Sequence, residues 1–257
     1  MKLNTLYRWD CLEVMRTFED NSIDLTVTSP PYDNLRTYNW FSWDFEWIAK
    51  ELYRITKEWW VVIWVVWDAT INGSETGTSF KQALYFKEIG FNLHDTMIYR
   101  KTNPTPYHHN RYNPSFEYMF VVSKGKPKIF NGIRILRKTK GVAKTRTFRY
   151  PNGELKLANT MSNTTDKLAD NVWDLSCNSP IKEHPATFPE KLAEDHILSW
   201  SNEWDTVLDC FAGSGTTLKM AKKNNRNYIW IEISEEYCKI IEKRLATPKT
   251  FLEKSSE

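Results

Sequence analysis

Glycine is scarce in this chain: 9 of 257 residues, or about 3.5% against a usual figure of about 7%. There is no G-x-G-x-x-G dinucleotide fingerprint and no phosphate-cradling loop ending in G-K-S/T. No run of 18 or more apolar residues occurs, so no membrane-spanning helix is expected. The N-terminus, MKLNTLYRWDCLEVM, meets charge too early for a signal-peptide core, which implies a cytoplasmic location. The four cysteines, Cys11, Cys177, Cys210 and Cys238, are scattered and form no C-x-x-C pair, so neither a zinc site nor a disulfide framework is indicated. Internal repeats and coiled-coil heptads are absent as well.

Acidic residues are also missing from one long stretch. Between Arg100 and Lys156 only Glu117 and Glu154 are acidic. The same span carries Arg100, Lys101, Arg111, Lys124, Lys126, Lys128, Arg134, Arg137, Lys138, Lys140, Lys144, Arg146, Arg149 and Lys156. Interleaved Tyr107, Tyr112, Phe116, Phe130, Phe148 and Tyr150 give it the basic and aromatic character of a nucleic-acid surface, against the plainer reading of a solvated loop. The expected DNA contacts are Lys124, Lys126, Lys128, Arg134, Arg137, Lys138, Lys140, Lys144, Arg146 and Arg149.

With 41% hydrophobic residues the chain can build a substantial α/β core. Short apolar runs alternate with helical patterns, which predicts βα units and a mainly parallel sheet. Strands are expected near 23–28, 61–66, 94–100, 116–122, 206–210 and 227–232, and helices near 10–17, 43–56, 78–89, 189–200, 215–223 and 234–244. Periodicity fades between about 124 and 180, which reads as an insertion on the sheet.

Two stretches carry chemistry. Residues 28–34, TSPPYDN, end an apolar strand in consecutive prolines, which cannot donate to a ladder and which hold the Ser29 side chain and the Ser29 and Pro30 carbonyls rigidly. Rigid acceptors beside an aromatic suit a flat ligand with an amino group. Residues 206–217, TVLDCFAGSGTT, give a strand ending in an acid, a turn with Gly213 and Gly215, and a helix start. Glu232 ends the next strand about 20 residues later, where it can accept from ribose hydroxyls. Together these predict a nucleoside ligand without a pyrophosphate.

These residues resemble the S-adenosylmethionine-dependent DNA amino-methyltransferases, which methylate cytosine N4 or adenine N6. Ser29-Pro30-Pro31-Tyr32 matches the family's (D/N/S)-P-P-(Y/F/W) motif, Asp209 to Thr217 matches D-x-F-x-G-x-G-T-T, and His184-Pro185-Ala186-Thr187-Phe188-Pro189 resembles H-P-A-x-F-P. The order, catalytic motif first and cofactor motif last, is that of the circularly permuted β group. The resemblance implies a single Rossmann-like class I methyltransferase domain over 1–257, a mostly parallel seven-stranded sheet with helices on both faces, and a target-recognition insertion at 124–180. It implies S-adenosylmethionine bound by Asp10, Cys11, His184, Pro185, Ala186, Phe188, Pro189, Asp209, Phe211, Gly213, Gly215, Thr216, Thr217 and Glu232. Catalysis would fall to Ser29, Pro30, Pro31 and Tyr32, with Ser29 pointing to cytosine N4 and adenine N6 as the alternative. A catalytically silent DNA-binding homologue is the rival from another class. The implied partners are double-stranded DNA and, in a restriction-modification system as against an enzyme acting alone, a cognate restriction endonuclease for the same site, with no membrane, no metal, and a monomeric or homodimeric state.

One departure stands out. Trp9, Trp60, Trp67, Trp204 and Trp230 stand where the family pattern has glycine, and the chain holds 12 tryptophans against 9 glycines. Tryptophan cannot easily follow the tight backbone that glycine serves. Such a pattern arises if the source organism reads UGA as glycine and the sequence was translated with UGA as tryptophan. The alternative is a homologue repacked around real indoles.

Overall fold

The computed structural model describes residues 1–31, 44–104, 106, 110–137, 144–160, 165–176 and 188–246, with backbone alone at 144–146, 158–160 and 245–246. The first elements are β1 (Thr5–Tyr7), α1 (Cys11–Arg16), β2 (Ile23–Thr28), α2 (Phe45–Ile55), β3 (Thr56–Val66), β4 (Thr70–Ile71), β5 (Ser74–Glu75), α3 (Thr78–Glu88), β6 (Asn92–Lys101) and β7 (Phe116–Ser123). Four strands follow, β8 (Arg134–Leu136), β9 (Lys144–Arg149), β10 (Leu155–Thr160) and β11 (Asp166–Leu168). The chain ends with β12 (Val172–Leu175), α4 (Glu190–Trp200), β13 (Thr206–Asp209), α5 (Thr216–Lys223), β14 (Asn227–Ile231) and α6 (Glu235–Ala246).

Eight strands form one sheet in the order β1-β14-β13-β2-β3-β7-β6-β12, where seven were expected. Its strands run parallel except β7, which is antiparallel to both neighbours. The centre is legible from residue type: β2 (IDLTVT) and β13 (TVLD) are buried at every position, as expected of parallel strands covered on both faces. One such position is charged. Asp24 of β2 is stabilised in the interior by the Lys57 ammonium at 2.7 Å and the Thr206 N–H at 2.9 Å.

Helices cover both faces. Val14 and Met15 of α1, Ile48, Ala49, Leu52 and Ile55 of α2, and Ala83 and Phe86 of α3 pack with Ile23, Val62 and Trp64 on one side. Leu192, Ala193 and Ile197 of α4 and Met220 and Ala221 of α5 pack with Leu25, Val27 and Ile63 on the other. The α2 stripe has the i, i+4 spacing of a helix with one buried face, and Asp44 caps it by accepting from the Glu46 and Trp47 N–H groups.

The chain divides into two compact units, 1–131 with 171–257, and 132–170. The second consists of two antiparallel ribbons, β8 with β11 and β9 with β10. No described residue of it is buried.

Three of the expected DNA contacts need correction. Lys124 is buried, its ammonium donating to Asn21 Oδ1 at 2.8 Å and to the Tyr53 and Thr56 carbonyls at 3.1 Å each, and lying 4.8 Å from the Tyr53 ring centre. It is an internal tie between β7 and the end of α2, withdrawn from any polyanion. Lys126 and Lys128 are exposed but come after the carboxyl end of β7. Because β7 runs backwards, Ser123 pairs with Asn92, the first residue of β6, and with Val61, where the continuous pairing of β3 with β2 begins. The two lysines therefore emerge at the sheet edge opposite Ser29, while Lys128 Nζ sits 4.9 Å from the Trp60 ring centre. A run of basic residues in the sequence does not reveal which edge a reversed strand delivers them to.

Lys124→Met should leave the Tyr53 and Thr56 carbonyls without their buried donor and cost about 1–3 kcal/mol in denaturant unfolding. Exposed Lys126→Ala should stay within about 0.5 kcal/mol of the parent. Equal, small effects of both would refute the internal tie.

Candidate active site

Four parallel strands, β1, β14, β13 and β2, lie side by side, so the loops leaving their carboxyl ends emerge along one edge of the sheet. In order along that edge come Asp10, Glu232, the turn that begins at Asp209, and Ser29-Pro30-Pro31. In open α/β sheets this is the edge where ligands bind.

Asp209 is buried, and its Oδ1 accepts from the Thr28 hydroxyl at 2.7 Å and from the Phe211 N–H at 3.1 Å. The first bond ties the last residue of β2 to the last residue of β13. Burial pushes the Asp209 carboxyl up to about 6, with hydrogen bonds from Thr28, Thr217 and Phe211 pulling the other way. Ser29 is half-buried, Pro30 buried and Pro31 half-buried. They leave β2 from a residue that Asp209 holds in place.

Beyond Phe211 the chain turns through Gly213 at φ +52° and Gly215 at φ +76°, both in the left-handed region. A Cβ on Gly215 would lie 3.2 Å from Ile241 Cγ1, so the packing of α6 as well as the turn requires glycine there. The Gly213 N–H donates to Glu232 Oε2 at 2.7 Å and the Ser234 N–H to Oε1 at 2.8 Å. The Glu232 backbone N–H donates to the Tyr7 carbonyl at 3.0 Å, joining β1 to the same group. Burial raises the Glu232 carboxyl above its ordinary range. A carboxylate has about four acceptor positions, so two backbone donors leave room for hydroxyls.

Thr216 and Thr217 are buried: the Thr217 hydroxyl donates to the Val27 carbonyl at 3.2 Å, and the Thr216 hydroxyl shares a 3.3 Å hydrogen bond with Ser214. These hydroxyls fix the turn and α5 against β2. Asp10 caps α1, its Oδ1 accepting from the Leu12 N–H at 2.9 Å and the Glu13 N–H at 3.1 Å. Asp10 also lines an open cleft of about 910 Å³ with Leu12, Asp44, Phe45, Gln82 and Tyr85. Cys11 packs into the core on the α1–α3 face, and burial with the neighbouring Asp10 charge pushes its thiol up to about 12. Phe188 packs on the opposite face near α4, whose N-cap is Pro189. Tyr32, His184, Pro185, Ala186, Lys138 and Lys140 lie outside the described residues. Among the described residues no cluster of histidine, cysteine, aspartate or glutamate could hold a metal, and Cys11, Cys210 and Cys238 are free and buried.

A DNA methylase family model of N6/N4 methyltransferases matches residues 23–243. The chain belongs to that family of DNA methyltransferases. It is 54% identical over 239 residues to the orphan methyltransferase M.BamHII of Bacillus amyloliquefaciens, covering 88% of this chain and 89% of that one. Among solved structures it resembles the complex of M1.HpyAVI with SAM, at 25% identity and a TM-score of 0.61, covering 93% of this chain and 98% of the other. It also shares the fold of the PvuII cytosine-N4-specific DNA methyltransferase, with a TM-score of 0.72 at 21% identity over 99% and 90% of the two chains.

The sequence did not single out two groups that shape the candidate site. Thr28 precedes the proline motif as a buried hydroxyl at a strand end, a signal that could have been read. Arg244 of α6 could not have been found by pattern. Its guanidinium donates to the Ser214 carbonyl, with Ser214 Oγ at 3.3 Å, and to Glu190 Oε1 at 2.9 Å. Glu190 also takes the Lys219 ammonium at 3.0 Å, so α4, α5 and α6 are clamped around the glycine turn.

Because the Asp209 carboxyl is raised in the folded protein, its contribution to stability is greatest below the unfolded value near 4 and is lost as pH rises to about 6. Relative to Asp209→Asn, the parent should lose stability across that window, by at most about 3 kcal/mol. Parallel denaturant titrations at pH 4 and pH 7 measure this difference; a pH-independent gap between the two proteins would contradict it.

Proposed function

We propose that this methyltransferase moves a methyl group from S-adenosylmethionine to the exocyclic N4 of a cytosine flipped out of double-stranded DNA, within a short recognition sequence. The observation that carries this reading is the placement of Ser29-Pro30 beside the Asp209–Glu232 turn, joined by the Thr28–Asp209 hydrogen bond. Glu232, a buried carboxylate with acceptor positions to spare, fits the ribose hydroxyls of a nucleoside cofactor, and half-buried Phe211 offers an aromatic edge beside it. Asp10, Phe188, Pro189 and the segment 184–186 complete the proposed pocket. When bound, the sulfonium cofactor supplies an already activated methyl group.

The protein's task is to make the amino group nucleophilic, since its lone pair is delocalised into the base. Ser29 Oγ and the Pro30 carbonyl are the proposed acceptors of the two amino hydrogens, which would favour a tetrahedral nitrogen with its lone pair free. The prolines keep these acceptors from rotating. Tyr32 is proposed to stack on the base, offsetting part of the stacking lost when it leaves the duplex. Target recognition is assigned to the 124–180 region, with Arg134, Arg137, Lys138, Lys140, Lys144, Arg146 and Arg149 as its basic contacts. Arg134 already holds Asp166 through two hydrogen bonds, at 2.7 and 3.0 Å, so a phosphate there would compete with an existing pair. Adenine N6 is the second reading, favoured by the N6/N4 breadth of the family model. The relative's name, an orphan methyltransferase, favours action without a partner nuclease.

Incubation with labelled S-adenosylmethionine and mixed-sequence duplex DNA, with nucleoside mass spectrometry of the product, should yield N4-methylcytosine. N6-methyladenine would overturn the base assignment, and cofactor binding without any product would favour a silent DNA-binding protein. Ser29→Ala should lower kcat about 100-fold or more with cofactor affinity retained. Arg244→Gln, which loosens the clamp on Ser214, should instead raise the cofactor KM several-fold with kcat nearly unchanged, and Arg244→Lys should restore part of the loss. A matching fall in kcat for Arg244→Gln would place that residue in the chemistry and contradict its role in the turn.

A further inference from the structure

Among the described residues, six that are not glycine adopt positive φ: Asn4, Asn21, Asn72, Asn225, Trp59 and Trp204. Four asparagines are ordinary there, because a short amide side chain can hydrogen-bond locally in the left-handed region. The two tryptophans, each at φ +70°, are not. In that conformation the Cβ of an L-residue crowds the following carbonyl, and a bulky side chain has no local bond to offset the strain. Nor does burial offset it, since Trp59 is 55% exposed and Trp204 71% exposed.

The backbone cannot relax at either place. The Trp59 N–H donates to the Lys124 carbonyl and its own carbonyl accepts from the Lys128 N–H at 3.1 Å. The Trp204 N–H donates to the Asn225 carbonyl at 2.8 Å, and its carbonyl accepts from Asn227 Nδ2 at 2.6 Å. Position 59 lies within β3, where its pairing with β2 shifts register between Thr56 and Val61, and position 204 lies just before β13. The fold therefore demands left-handed residues at two largely exposed positions, where the Trp204 side chain is 71% exposed and the Trp59 indole does no more than lie over Gly125.

A third tryptophan fails a different test. Trp230 is 1% exposed, and its indole Nε1 has no hydrogen-bond partner among the described residues, a condition it shares with Thr26 Oγ1 and His196 Nδ1; of the three, Trp230 is the one that stands where the family pattern has glycine. Trp64 shows what a fitted indole looks like in the same sheet: 0% exposed, with Nε1 donating to Gln82 Oε1 at 2.9 Å.

We infer that positions 59 and 204 are glycine in the protein its source cell makes, and that their codons are UGA, read there as glycine and here as tryptophan. UGA differs by a single base from UGG, a tryptophan codon, and by a single base from GGA, a glycine codon, so one change of decoding gives either meaning. The same reassignment covers Trp230 and accounts for a chain with 12 tryptophans and 9 glycines. Trp64 remains tryptophan and is encoded by UGG. Trp60 and Trp67 lack the left-handed backbone, and Trp9, exposed and bonded to Glu13, lacks it too, so for those three the case rests on the family pattern alone.

Two experiments test this. Peptide mass spectrometry of the protein purified from its source cells should find glycine masses at 59, 204 and 230 and a tryptophan mass at 64, matching UGA and UGG codons in the gene. Tryptophan masses or UGG codons at 59 and 204 would overturn the inference. In recombinant protein, the double variant Trp59→Gly with Trp204→Gly should melt about 4 °C or more above the chain as written. Trp64→Gly, which empties a filled core site, should melt lower. An unchanged or lower melting temperature for the double variant, or a rise for Trp64→Gly, would defeat the backbone argument.

Discussion

The hydrogen bond from the Thr28 hydroxyl to the Asp209 carboxylate is the constraint on which the site depends. It joins the ends of two adjacent parallel strands, and each end opens a functional loop. On the β2 side it fixes where Ser29 and Pro30 leave the sheet. On the β13 side the same carboxylate holds the Phe211 N–H and starts the glycine turn. Thr217 then returns from α5 to the Val27 carbonyl, so the two loops are bound together from above and below. The proposed base acceptors and the proposed cofactor turn cannot shift independently, which suits a transfer between two bound partners that must meet within about half an ångström of the productive geometry.

Buried charge in this fold is consistently given partners. Asp24 has Lys57 and the Thr206 N–H, Glu232 has two backbone donors, and buried Arg226 donates to the Ser201 carbonyl at 2.6 Å and to the Asn224 carbonyl at 2.6 Å. Lys124 obeys the same rule with three acceptors. Each stabilises an otherwise costly group and also joins segments distant in sequence. Three buried uncharged atoms among the described residues stand outside this regularity, Thr26 Oγ1, His196 Nδ1 and Trp230 Nε1, and the last belongs to a residue that the family pattern gives as glycine.

Much of the frame was legible because its signals are local. The short, β-branched-rich runs of β2 and β13, each ended by a residue that cannot continue a ladder or by a turn, announced both the strands and the loops after them. The edge strands β1 and β12 were missed: three and four residues carry no readable alternation, and both are strands only because a neighbour offers a ladder. Lys124 was misread because a lysine in a basic run looks exposed until three acceptors surround it. Trp60 was singled out by alignment with a family pattern, but the strained backbone lies one residue earlier, at Trp59. Composition pointed to an excess of indoles; only a dihedral angle can say which of two adjacent ones is misplaced.

The site is assembled from both ends of the chain, and this governs when it can exist. Asp10 belongs to the first turn after β1, while β1 has only β14 as its partner, so the N-terminal part of the edge is absent until the last strand has docked. The Thr28–Asp209 bond closes a separation of 181 residues, and the Glu232 N–H to Tyr7 carbonyl bond closes a longer one. Contacts so distant carry a loop-closure entropy that must be offset by the register of the strands between them. A defect at the irregular start of β3 or in the turn before β13 acts on that register. Strain at position 59 or 204, both far from Ser29 in sequence, would therefore weaken the assembly of the site itself, and a protein burdened by it would lose function by failing to bring its strand ends together.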